Sequence, residues 1–154
     1  KCDIDLPDCV DGNEVLTDHG REEAVTIGSG LRTLLSDDYE VRHSPLYRTR
    51  DTALLAFGES TDDMALAKPC KTTFQDYVKA LPMATNQILV THSSCINSLT
   101  TTDGGRVLGI NTGKDPHFGI AAFFDRTDTG DELIGCMWPE NWGVIAREIE
   151  QTRG

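Results

Sequence analysis

Apolar positions mark out alternating helices and strands along this chain. Ala24, Ile27, Leu31, Leu34 and Leu35 recur at helical spacing, which predicts a helix laying one face on a sheet. Thr17 suits its N-cap, and Asp18, Glu22 and Glu23 favour the positive end of the helix. Gly28 and Gly30 weaken this helix but permit a neighbour to come close. Tyr39 to His43 reads as a short strand, and Ser44-Pro45 as a turn with the proline pre-set for the first helical position. Leu54 to Phe57 continues that helix, so Arg48 falls near its first turn. Glu59 to Asp63 reads as polar linker, Met64 to Ala67 as a short strand or turn, and Thr73 to Leu81 as a helix stopped by Pro82. Ile88 to Thr91 is a compact apolar strand of the kind buried in a parallel sheet, and a helix begins near Ser94. Thr101 to Lys114 reads as loop. Phe118 to Phe124 and Glu132 to Trp138 read as a last antiparallel pair, turning at Asp128 to Asp131, and Trp142 to Gly154 as a short terminal helix. This alternation predicts an α/β fold, a three-layer α/β/α sandwich with a mostly parallel central sheet.

Composition narrows the choice of partners. A chain of 154 residues suits one domain over 1–154, and 38% hydrophobic content excludes general disorder. No apolar run approaches the roughly 20 residues of a membrane helix, and no signal-peptide pattern is present, so membrane insertion is not expected. The net charge of −11 repels nucleic acid and anionic membranes. Any phosphate site must then be a local basic pocket, for which arginine is better suited than lysine. None of Cys2, Cys9, Cys70, Cys95 and Cys136 forms Cys-x-x-Cys, which disfavours a zinc ribbon or a thioredoxin motif. Cys2 and Cys9 flank an acidic, proline-containing loop, and a disulfide closing it would indicate an oxidising compartment. The alternative is five ordinary small hydrophobes in a cytosolic protein.

Two residues carry the candidate chemistry. Arg48, in a first helical turn after a strand, is placed for an anion, and its fork matches two phosphate oxygens. His92 ends a buried strand where a helix starts, and ligands of open α/β sheets gather at the carboxyl ends of strands. Ser93 and Ser94 follow with hydroxyls and backbone N–H groups. A surface arginine and a buried, backbone-bonded histidine are the plain alternatives. Rival sites fail on spacing: no cysteine is followed six residues later by arginine, Gly-x-Ser-x-Gly is absent, and there is no phosphate loop ending in Gly-Lys. Asp3-x-Asp5 lacks the apolar strand that an aspartyl phosphatase needs before it. The four histidines show no metal spacing, and neither a metal nor another cofactor is expected.

Three ordered segments carry a family resemblance. Ser44-Pro45-Leu46-Tyr47-Arg48-Thr49 through Thr52-Ala53 resembles the second signature of the histidine phosphatase (phosphoglycerate mutase-like) superfamily. Leu16-Thr17 with Gly20 and Ala24 is similar to that family's first helix start, and Ile88 to His92 to the strand ending in its second histidine. The resemblance implies a phosphomonoester hydrolase working without metal through a phosphohistidine on a small phosphorylated molecule, such as a sugar phosphate. It implies Arg48 and His92 as catalytic, with Arg48, His92 and Ser93 around the phosphate, and an acidic proton donor. Asp76 is the candidate for that donor, with Asp3 and Asp5 competing. The family's first signature, Arg-His-Gly or Arg-His-Ala, has no counterpart before Leu16, and Arg42-His43 sits in the second strand's position. The expectation is that the nucleophile and the first strand precede Lys1; the alternative is a non-catalytic pseudophosphatase that binds an anionic ligand or partner. The cysteine-bearing loop is similar to that of the lipopolysaccharide core heptose-phosphate phosphatase branch. That branch implies a periplasmic or secreted protein, with Cys70 and Cys95 as a second bridge and Cys136 left over.

Overall fold

The structure is a computed structural model, and it describes residues 14–35, 38–67, 73–99, 118–127 and 130–153. Its architecture is α/β, with a parallel three-stranded sheet and helices around it.

Helix α1 spans Asp18–Leu34, and the Thr17 side chain accepts from the Gly20 N–H, as its N-cap position predicts. Its buried face is Ala24, Gly28, Gly30 and Leu31. Leu34, expected on that face, is exposed. The reason lies in the glycines. A Cβ at Gly28 would meet the backbone of Ala56, and one at Gly30 would meet the Trp142 ring. Helix α1 therefore sinks its glycine stripe against two other helices, α2 (Tyr47–Phe57) and α5 (Trp142–Arg153), which turns Leu34 outward.

Strand β1 (Tyr39–His43) lies at the centre of the order β2-β1-β3, with β2 at Thr61–Asp62 and β3 at Asn86–Val90. Both pairings are parallel; Tyr39 to His43 match Asn86 to Val90 one for one. The strand β2 lies within the stretch that reads as polar linker. Both its residues are exposed, so no apolar pattern announces it, and it is a strand only through β1's backbone. A 3₁₀ turn at Met64–Leu66 follows, with the Asp63 side chain accepting from Ala65 N–H. Then come α3 (Thr73–Ala80) and, directly after β3, the short α4 (Ser93–Ile96).

Strands β4 (Ala121–Thr127) and β5 (Gly130–Met137) form the expected antiparallel pair, with an irregularity between Phe123 and Phe124. They make a ladder of their own, so the strands fall into two sheets among the described residues. Helices cover both faces of this pair. Phe123 meets Trp142 of α5, while Ala122, Phe124, Leu133 and Cys136 pack on a core of Leu66, Phe74, Cys95 and Leu99. Trp142 is fully buried and donates its indole N–H to the Gly119 carbonyl, 3.1 Å away. Cys136 is in no disulfide. Cys2, Cys9 and Cys70 lie outside the described residues, as do Asp3, Asp5 and the loop Thr101 to Lys114. No helix among the described residues is long and apolar enough to cross a membrane.

Candidate functional site

Parallel pairing of β1 and β3 brings two chain segments out at the same sheet edge. Because His43 is opposite Val90, the residues that follow, Ser44 on one strand and Thr91-His92 on the other, emerge side by side. The ladder runs one residue further: Ser44 N–H donates to the Val90 carbonyl at 3.0 Å. That bond keeps Ser44 extended, and helix α2 therefore begins at Tyr47, with Leu46 as its N-cap, instead of at Pro45. Thr49 Oγ1 ties the turn down by donating to the carbonyls of Ser44 and Leu46, each at 2.8 Å. Arg48 keeps its expected place in the first turn of α2.

On the other strand, Thr91 Oγ1 donates to the Leu66 carbonyl at 2.8 Å, and His92 caps α4 through its own carbonyl, which accepts from Cys95 N–H at 2.8 Å. The imidazole of His92 is buried, as is Ser44. His92 Nε2 lies 3.0 Å from Ser44 Oγ. On the opposite side of the ring, Nδ1 lies 3.4 Å from Arg48 Nη2. The other terminal nitrogen of Arg48 donates to the Glu14 carboxylate at 2.7 Å. Glu14, Arg48, His92 and Ser44 thus form one continuous chain of polar contacts, half-open at Glu14 and sealed at Ser44.

Charge around this edge is balanced locally. Arg50 pairs with Asp51 at 2.9 Å and lies over the Tyr47 ring, while Arg42 pairs with Glu40 and, at 3.6 Å, with Asp63. Burial pushes the Asp63 carboxyl up, but hydrogen bonds from Tyr77, Ala65 N–H and Arg42 outweigh it and hold the group below the usual range. Burial, then the bond to Asp63, pushes the Tyr77 phenol up to about 12. His43 Nε2 sits 2.8 Å from the exposed Asp62 carboxylate, yet the approach is not that of a hydrogen bond and neither ring nitrogen makes one. No group of His, Cys, Asp and Glu among the described residues could hold a metal ion.

Of the residues singled out by sequence, Arg48 and His92 come together, and Ser93 lies next to them in the chain. No hydrogen bond joins the Ser93 side chain to either; its carbonyl accepts from Asn97 N–H. Asp76 is exposed on α3 and has no hydrogen bond or ion pair with Arg48 or His92. The carboxylate that does touch Arg48 is Glu14, 34 positions away in sequence, and no spacing rule points to it. Ser44 was legible as a turn residue; its bond to His92 depends on strand register.

A solved phosphoserine phosphatase mutant from Entamoeba histolytica, in complex with phosphoserine, has a similar backbone. The TM-score is 0.52, over 81% of this chain and 85% of that one, at 13% identity. The likeness is one of fold. No protein-family model and no curated protein sequence matches the chain.

Proposed function

We propose that this chain is a phosphomonoester hydrolase of the histidine phosphatase type, acting without metal on a small phosphorylated substrate, such as a sugar phosphate. The observation that carries the reading is the Arg48–His92 approach of 3.4 Å at the carboxyl edge of a parallel sheet. The fold likeness to a phosphoserine phosphatase supports phosphomonoester hydrolysis in general. The sequence resemblance adds the phosphohistidine route. In that route a neutral imidazole nitrogen bonds to phosphorus as the bond to the leaving oxygen breaks. An acid protonates that oxygen, and water then cleaves the N–P bond. The work of this chain's own residues is electrostatic: Arg48 and His92 neutralise charge on the equatorial oxygens, with Ser93 at the pocket's border. Residues 1–154 contain no Arg-His-Gly or Arg-His-Ala to supply the nucleophile. Asp76 stands as the proton donor suggested by sequence.

The protein in its natural full length should turn over p-nitrophenyl phosphate in the presence of EDTA, and His92→Ala should abolish that. Unchanged turnover in His92→Ala would sink the assignment. A second reading is a pseudophosphatase that holds an anion without cleaving it; it is the one in which Arg48 and His92 bind the anion with no nucleophile beside them. Saturable phosphate binding with no turnover is its signature. An oxidising compartment, periplasmic or extracellular, belongs to the proposal. Its support is the cysteine-bearing loop of the sequence.

A further inference from the structure

We propose that Ser44 is a positioning residue that fixes which nitrogen of His92 faces the anion seat. The proposal rests on the reading of Arg48 and His92 as an anion pocket and adds the device that sets its protonation.

The argument begins with what each partner is able to do. A guanidinium has five N–H donors and no acceptor. Its 3.4 Å contact with His92 Nδ1 is therefore a donation to a bare nitrogen. A neutral imidazole then carries its proton on Nε2, and that N–H points at Ser44 Oγ, 3.0 Å away. Ser44 is fully buried, so water cannot take over this contact. The Ser44 main chain is held on both sides: its N–H is committed to Val90 and its carbonyl to Thr49 Oγ1. The Arg48 donation thus sets the tautomer, and the buried Ser44 Oγ, as the partner of Nε2–H, holds the ring in that orientation before any ligand arrives.

The consequence is a basic nitrogen beside a guanidinium. Two nitrogens 3.4 Å apart can both reach one oxygen at ~2.8 Å. When a phosphate oxygen enters, the Arg48 Nη2–H leaves Nδ1 for that oxygen, and Nδ1 takes one proton from solvent on the freed lone pair and donates it to the same oxygen. Nε2–H stays on Ser44 throughout. The ring becomes imidazolium without turning, and no other proton moves.

Long-range ¹H–¹⁵N correlation of the His92 ring tests this. Without phosphate, the native protein should show bare Nδ1 and protonated Nε2; the opposite tautomer, or an even mixture, overturns the proposal. Ser44→Ala should give mixed tautomers and bind inorganic phosphate at least about fivefold more weakly. Ser44→Thr should restore the native tautomer. Thr49→Val removes the tethers to the Ser44 and Leu46 carbonyls but leaves the Ser44 hydroxyl in place, and should keep it. A native tautomer and native affinity in Ser44→Ala would refute the role. If Ser44→Ala does not fold, the native and Thr49→Val spectra decide. Added phosphate should protonate Nδ1 and leave Nε2 protonated. Absence of phosphate binding counts against the pocket itself, whereas the unliganded tautomer decides the role of Ser44.

Discussion

Replacing Gly28 by alanine sets two effects of known size against each other. On propensity alone the change should help, since alanine is favoured over glycine inside a helix by about 1 kcal/mol. Packing opposes it. The added Cβ would run into the Ala56 carbonyl oxygen and lie 2.5 Å from its Cα and 2.6 Å from its carbonyl carbon. All three are backbone atoms of α2, so no side chain can swing aside. The same carbonyl accepts a hydrogen bond from Arg32, which the methyl would displace. Relief needs α1 and α2 to separate, and overpacking of this kind typically costs about 1–3 kcal/mol. With backbone as the obstacle and a hydrogen bond lost, the upper end applies. The net loss is then about 2 kcal/mol, or about 4–8 °C in Tm for a chain of this size. Urea unfolding followed by circular dichroism measures it. A variant as stable as the native protein, or more so, would refute the close α1–α2 contact. It would also remove the reason given for the outward turn of Leu34.

Other substitutions test other parts of the account. Glu14→Gln should tighten inorganic phosphate binding severalfold by freeing Arg48 from its internal carboxylate, as calorimetry would show; unchanged affinity would mean that Glu14 does not compete. Arg48→Lys keeps the charge but loses the fork and should weaken the same binding by about tenfold. Trp142→Ala should cost about 3–5 kcal/mol, because the ring is fully buried between α1 and Phe123. Tyr77 titrates later in the folded chain, near about 12, than in the unfolded chain, near about 10, so its contribution is complete below about pH 10 and lost as pH rises towards 12. Tyr77→Phe should flatten that loss, worth about 1 kcal/mol once solvent screening is allowed for. An unaltered alkaline limb in urea midpoints would count against the Tyr77–Asp63 bond.

Local patterns carried much of this fold into the sequence. Thr17 announced its helix, the apolar run at Ile88 announced β3, and the antiparallel pair at the end was visible as two apolar runs around a polar turn. What escaped was set by partners distant in sequence. Strand β2 exists because β1's backbone recruits two exposed residues. The start of α2 is delayed because Val90 holds Ser44 in the ladder. The same holds at the site. Arg48 and His92 each stood at a position that general rules favour, the first turn after a strand and the end of a buried one. Their contacts to Glu14 and Ser44 follow from register and packing, which no local window contains.

The most direct test of the account is a titration of inorganic phosphate into the native protein, watched at the Arg48 side-chain N–H groups and the His92 ring. Both sets of signals should move together and saturate at one affinity, and the His92 ring should lose its response in Arg48→Ala. Movement of only one of them, or a response centred elsewhere in the molecule, would contradict a shared anion pocket.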